Sequence, residues 1–237
     1  MKKELLEYSF EQGLSHIPSA MSMIDYLDVL FSDQFVVPDD HILLGKPFGA
    51  QAYYLVWRKL GYLDNIEHLG AGVKHDEIEF VDYSEETMGN ALGVAIGIAM
   101  TTDKRVWVNL SDATLQMGNA LEAIQFIGHN RLKNIFVTID YNNAQVTGHV
   151  NNILTVHPCI QFFKEYGWFT QEVDGHDKIK LKTTFDNLAD TLPNVVFCHT
   201  RKGHGVRSIE KDIRKWHYKK IETLIELQSL AAELRAI

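Results

Sequence analysis

The stretch VWVNLSDATLQMGNALEAIQFIGHNRLKNIFVTIDYNNAQVTGHV, residues 106–150, decides the fold. It reads as strand, loop, helix, strand, loop. Val106 to Leu110 is a short apolar run rich in β-branched residues, which suits a buried parallel strand. Leu121, Ile124, Gln125 and Gly128 recur at helical spacing and share one face of a helix predicted over Met117 to Asn130. Ile135 to Ile139 is the second strand. Ser111-Asp112-Ala113 follows the first strand, and Asp140-Tyr141-Asn142-Asn143 follows the second. Ligands of open α/β sheets gather outside the carboxyl ends of adjacent strands. Asp112 and Asn142 are therefore expected side by side, with hard oxygens turned to one crevice. Such oxygens suit magnesium, which takes one or two protein ligands together with phosphate oxygens. The alternative reading is local: an Asp after a strand is commonly a helix cap, and Asn in a loop a turn former.

Working outward, 237 residues with 46% hydrophobic content fit one larger α/β domain spanning 1–237. A net charge of −8 excludes the basic footprint of nucleic-acid binding. Cys159 and Cys198 have no metal-ligand spacing and fit a reduced cytoplasmic setting. MKKELLEYSFEQG carries no apolar core for a signal peptide, and no run approaches a membrane span. A nucleotide-binding module is disfavoured by the absence of G-x-G-x-x-G and of a P-loop.

In chain order, residues 2–13 read as a surface helix ended by Gly13. A second helix, with Ser22 as N-cap, buries Ile24, Leu27, Leu30 and Phe31. Residues 64–80 are acidic and irregular. Gly89, Gly93 and Gly97 recur at i, i+4 and i+8, a pattern that predicts close backbone approach by another helix. Ile160 to Tyr166 is a short helix and Trp168 to Val173 a strand. Asp174-Gly175-His176-Asp177 is a turn into a helix, with His176 structural. Asn194 to Thr200 is a further buried strand. Leu224, Leu227 and Leu230 give the last helix an apolar face.

Asp112 and Asn142 stand 30 residues apart. That resembles the thiamine-diphosphate motif of the transketolase family, G-D-G followed after about 25 to 30 residues by an asparagine. The resemblance extends from Ser15 to His217, block by block and in the family's order. It implies the family's open, mostly parallel sheet flanked by helices, binding thiamine diphosphate and a divalent ion (Mg2+, or Ca2+ or Mn2+). It implies Asp112, Asn142 and the carbonyl of Ala144 as metal ligands, with the Ala113 N–H offered to a phosphate. His16 matches an active-site histidine of the family's first block. His217, in the Trp216-His217 pair, matches a histidine that contacts diphosphate and substrate. Glu86 and Met88 match cofactor contacts ahead of the glycine-bearing helix, which lies near a subunit interface in the family. His75, more than His68, stands where another substrate histidine is often found.

The departures are as specific. The family histidine of R-F-I-L-S-K-G-H falls on Phe48, which can neither donate a hydrogen bond nor carry charge; Lys46 or another residue would have to replace it. G-D-G has become Ser111-Asp112-Ala113, and the family's first glycine of T-G-S-L-G is Glu86. Met117 stands where the family has a glutamate of a carboxylate network joining two thiamine sites. The resemblance covers the family's cofactor domain only, and the glutamate that activates the aminopyrimidine ring belongs to the next domain. The chain is thus expected to be the N-terminal subunit of a split enzyme. It would pair with a separate C-terminal transketolase-like subunit, two copies of each, to move a two-carbon ketol unit between sugars or sugar phosphates. The departures motivate two alternatives: a non-catalytic pseudo-subunit acting as an assembly or regulatory partner, or a variant thiamine-dependent acyl or ketol transferase of a specialised sugar pathway, its pocket altered by Phe48 and Glu86.

Overall fold

In the computed structural model, which describes residues 1–234, the stretch 106–150 forms the middle of a six-stranded parallel sheet. Its strands are β1 (His41–Leu44), β2 (Tyr83–Ser84), β3 (Val106–Ser111), β4 (Ile135–Tyr141), β7 (Phe169–Asp174) and β8 (Asn194–His199). Their order is β2-β1-β3-β4-β8-β7. The two remaining strands, β5 (Ala144–Gln145) and β6 (Gly148–His149), form a small antiparallel hairpin after β4.

Alternation along each strand feeds two cores. Trp107, Val196 and Cys198 pack on one face of the sheet, against α1 (Lys2–Glu11), α2 (Ile17–Ser32), α3 (Gln51–Lys59) and α8 (Lys178–Asp186). Val106, Val108, Leu110, Ile135, Val137, Ile139, Val195 and Phe197 pack on the other. They meet α4 (Ala91–Ala99), α5 (Gly118–His129) and α7 (Pro158–Glu165). A sheet covered on both faces is the setting in which parallel strands read as continuous apolar runs. The remaining helices are α6 (Val150–Ile153), α9 (Arg207–Lys211), α10 (Ile213–Trp216) and α11 (Leu224–Leu234). No helix among the described residues is long and apolar enough to cross a membrane.

One polar residue breaks the apolar run of β3. Asn109 is fully buried, and its side-chain oxygen accepts hydrogen bonds from Tyr26 and Thr138, each at 3.0 Å. Its amide donates to Tyr53. A buried amide is tolerated because its partners are provided by α2, α3 and β4.

Two expectations are corrected. Ser22 is not a helix cap: α2 starts a turn and a half earlier, with Pro18 in its first turn and His16 at the N-cap position. Proline fits there because its missing N–H would have no helical partner. The three glycines do not mark a packed helix face within this chain. Gly89 precedes α4 and does closely approach another helix, since a Cβ built on it would meet Asn119 of α5 at 2.7 Å, while Gly93 and Gly97 are exposed, with nothing within 4 Å of a Cβ built on either.

Candidate functional site

From β1 the chain goes outward to β2 and then returns to β3 on the other side, so a crevice opens between β1 and β3 at the strands' carboxyl ends. A cleft of about 350 Å3 lies there. Lys46 enters it after β1, Ser111 at the end of β3 and Ala113 just beyond it, Asn142 and Ala144 after β4, and Lys202 after β8. Of the residues expected from the sequence, His16, Glu86, Met88, Ala113, Asn142, Ala144 and His217 all line this cleft, and so does Phe48.

Asp112 lies beneath the cleft, with no exposed surface. It opens a short 3-10 turn, and one of its oxygens accepts the N–H of Asn143. That bond ties the end of β3 to the end of β4, next to Asn142. Asn143 itself has φ 54°, a left-handed turn that asparagine tolerates better than most residues. Burial and the nearby Asp140 charge push the Asp112 carboxyl up to about 7, against the charge of Lys46. A buried carboxylate under such pressure is relieved by a cation.

The hub of the floor is Asp140, which sequence reading noted only as the residue after a strand. It is fully buried and ion-paired with Lys46. Ser22 donates to it at 2.7 Å, Asn142 Nδ2 at 2.6 Å, and Thr200 also donates. Burial alone would raise its carboxyl, but the Lys46 charge and these donors hold it below the usual range. Ser22, placed mid-helix, is thus a site residue rather than a cap. Lys46 does not stand in for a histidine at the reacting end, because its ammonium is committed to Asp140. Asn142 is fixed at both ends of its amide, since its Oδ1 accepts the N–H of Ala144 at 2.9 Å.

A second group gathers at one end. His16 has φ 59°, a left-handed conformation in which a histidine stores strain of the kind found at functional sites. Its N–H donates to the carbonyl of His217 at 3.2 Å, and its Nδ1 lies 2.9 Å from Ser15 Oγ. Its ring stacks on Phe48 (centroids 4.9 Å apart) and meets His217 and Tyr218 edge-on, at 4.9 and 5.3 Å. Lys202, buried, brings Nζ to 3.2 Å from His217 Nδ1 and 3.5 Å from the Ala144 carbonyl. The ammonium donates, so the His217 proton sits on Nε2. Burial and the Lys202 charge lower His16 to about 4 and His217 to about 3. Burial and Lys46 lower Lys202 to about 8. At neutral pH the cleft therefore offers two neutral imidazoles beside two lysines.

The loop 86–88 is held by an acid that the sequence reading passed over. The buried Glu85 carboxylate accepts the N–H groups of Gly89, Asn90 and Ala91 at 2.8 to 2.9 Å and so caps α4. Its signal was present: a carboxylate shortly ahead of a helix start. His75 lies outside the cleft, half-exposed beside Asp76 and edge-on to Tyr83. His68 is exposed, and its backbone N–H donates to Gln12. Neither joins the site.

His176 has the structural role expected of it. Its Nδ1 donates to Asp25 at 2.8 Å, its Nε2 accepts the N–H of Arg201, and Asp177 caps α8. Asp25, His176 and His204 lie close enough to hold a metal ion. The His176 proton and the Lys2 ammonium, 2.6 Å from Asp25 and 2.7 Å from His204, fill that space instead.

The donors around Asp112 fit a hard divalent ion with a diphosphate. Asp112, Asn142 and the Ala144 carbonyl supply oxygens only, and Lys46 and Lys202 add positive charge. A fold with a polar, oxygen-rich crevice at the β1/β3 switch point defines a cofactor-binding α/β domain. The transketolase thiamine diphosphate binding domain matches residues 92–217, more than half of the chain, and the chain belongs to that family. An apulose-4-phosphate transketolase subunit of Phocaeicola vulgatus is 25% identical over 240 residues, covering 92% of this chain and 85% of that one. The 6-deoxy-6-sulfo-D-fructose transketolase subunit SqwG of a Clostridium species is 23% identical, covering 94% and 90%. Transketolase-like protein 2 of Bos taurus is 28% identical over 235 residues, but this chain spans only 37% of its length. Among solved structures, transketolase from Leishmania mexicana superposes with a TM-score of 0.81 at 19% identity, covering 99% of this chain and 40% of that one. The last likeness concerns the fold.

Proposed function

We propose that this chain is the diphosphate- and metal-binding subunit of a split transketolase-like enzyme, transferring a two-carbon ketol unit between sugars or sugar phosphates. The observation that carries the reading is the floor of the cleft. Asp112, Asn142 and Ala144 converge from β3 and β4, with the Asp140–Lys46 pair beneath them. Two relatives named as transketolase subunits are covered over most of their length, which supports a separate partner subunit; the reading adds that this is a C-terminal subunit and that two copies of each chain assemble together.

In this reading Asp112, Asn142 and the Ala144 carbonyl hold a hard divalent ion, Mg2+ or alternatively Ca2+ or Mn2+, by their all-oxygen chemistry. The Ala113 N–H and Lys202 face the diphosphate, and Glu86 and Met88 flank the cofactor. When bound, thiamine diphosphate supplies the carbanion that accepts and passes on the ketol unit. The chain's own work is placement and proton handling. His16 and His217 are neutral, so each can donate from one ring nitrogen and accept at the other. Lys202 blocks Nδ1 of His217 and directs its Nε2–H outward to a substrate hydroxyl or carbonyl. Ser15 and Phe48 orient His16.

The test is calorimetric titration of thiamine diphosphate with magnesium into this chain co-purified with its C-terminal partner, beside Asp112→Ala. Saturable binding that the variant abolishes is expected. A well-folded complex that binds nothing would overturn the reading and favour the non-catalytic alternative.

A further inference from the structure

Lys202 is buried, and among the described residues its ammonium meets only the His217 ring and the Ala144 carbonyl, with no carboxylate to draw it in. A flexible lysine stem keeps such a place only if its backbone is held. The peptide groups on both sides of Lys202 are held, and from outside the cleft. The N–H of Gly203 donates to the Pro18 carbonyl of α2 at 2.9 Å. The N–H of Arg201 donates, also at 2.9 Å, to a side chain, Nε2 of His176.

The surroundings of His176 prepare it for that bond. A backbone amide can only donate, so Nε2 carries no proton and the ring hydrogen sits on Nδ1, where Asp25 accepts it at 2.8 Å. The N–H of His176 donates to Asp174 at 2.9 Å, and its ring stacks on His204. The turn that carries it is pressed against the Lys202 loop: a Cβ built on Gly175 would clash with the Thr200 methyl. Pro18, Ser22 and Asp25 recur along α2 at i, i+4 and i+7 and share one face. That face holds Gly203, Asp140 and His176.

We propose that His176, oriented by Asp25, is a positioning residue for the cleft: it fixes the peptide ahead of Lys202 and, through Lys202, the Nε2–H tautomer of His217. His176 does not itself line the cleft. That the tautomer serves ketol transfer rests on the transketolase-like reading above; that His176 sets the tautomer does not.

Long-range proton–nitrogen correlation NMR of the full chain, with isotope-labelled histidine, reports which ring nitrogen of His217 carries the proton. It would be recorded below the titration of Lys202, with His217→Gln assigning the signal. The wild type should show Nδ1 bare and Nε2 protonated. His176→Ala should lose that pattern, the two nitrogens moving toward averaged shifts. His176→Gln should keep it, because its amide oxygen can accept the Arg201 N–H. Asp177→Ala is the control: it removes the α8 cap from the same turn and should lower the unfolding temperature without moving the His217 signal. In the two-subunit complex with thiamine diphosphate and magnesium, His176→Ala should lower kcat for ketol transfer by up to roughly 100-fold, with His176→Gln restoring most of it. No fixed tautomer in the wild type, an unchanged one in His176→Ala, a loss in His176→Gln or an equal loss in Asp177→Ala overturns the assignment, whatever the enzyme does. The expected tautomer changes beside a well-folded wild-type complex that transfers nothing would uphold the assignment and overturn the reading.

Discussion

Replacing Asp140 with asparagine tests whether the floor of the cleft is an ion pair with polar support or merely a polar cluster. The carboxylate has no exposed surface and Lys46 is only 7% exposed. Asp140→Asn is nearly isosteric, but its single oxygen can replace only one carboxylate oxygen, the one that accepts from Ser22 or the one that accepts from Thr200, and it removes the charge opposite Lys46. An ammonium left buried without its partner costs about 3–5 kcal/mol. The variant amide also sets one nitrogen against donors that formerly met a carboxylate: Ser22, Asn142 and Lys46 on one side or Thr200 on the other. Lys46→Met removes the other half and should cost a similar amount, because the buried carboxylate then lacks its counter-charge. The double variant leaves no unpaired charge. Its loss should fall short of the summed single losses by about 2 kcal/mol or more. Urea unfolding of the four proteins followed by far-UV circular dichroism reads these values at one pH. Additive losses, or single losses below about 1 kcal/mol, would refute the view that the pair is buried and mutually dependent.

Gly128 in α5 lies so close to the chain end of α7 that a Cβ there would clash with the Tyr166 carbonyl; Gly128→Ala should destabilise by at least about 2 kcal/mol, measured by thermal unfolding. Gly93→Ala, by contrast, adds a methyl to an exposed helix position with open space around it. It should stabilise the chain alone by about 0.5–1 kcal/mol, and destabilisation of an assembled complex would show that a partner packs on α4. Asp25 carries a carboxyl that burial would raise, but hydrogen bonds from His176 and Lys2 and the Lys2 charge hold it far below the ordinary range. Its contribution is complete above the unfolded carboxyl pKa of about 4 and is lost as pH falls below it. Wild type should therefore lose more stability than Asp25→Asn in urea titrations between about pH 5 and pH 3. The His16 and His217 ring protons should show no NMR titration between about pH 7 and pH 5.5, since burial and Lys202 lower both groups well beneath that window and Lys202 itself titrates above it.

The sequence by itself determined the parallel sheet, because β-branched apolar runs followed by carboxylate or amide turns have few other uses in a chain of this length. It determined the pairing of Asp112 with Asn142 as well: two strands in register carry whatever follows them to one edge. It located seven expected site residues on the cleft and one, Asp112, directly beneath it. Only the tertiary structure decided the rest, since burial and long-range charge have no local signature. Ser22 looks like a cap in sequence and is a donor to a carboxylate 118 residues away. Glu85 looks like one acid among many in an acidic stretch and is a buried cap. Lys202 looks like a basic residue of a loop, yet it is folded over His217 and sets that ring's proton. His75, more than His68, stands where a further substrate histidine is often found in the family, and neither lines the cleft, whereas His16 does. Gly93 and Gly97 look like a packing face, yet within this chain they meet nothing. Periodicity reports which residues share an element's face; which face meets which is set by how the elements close around the sheet.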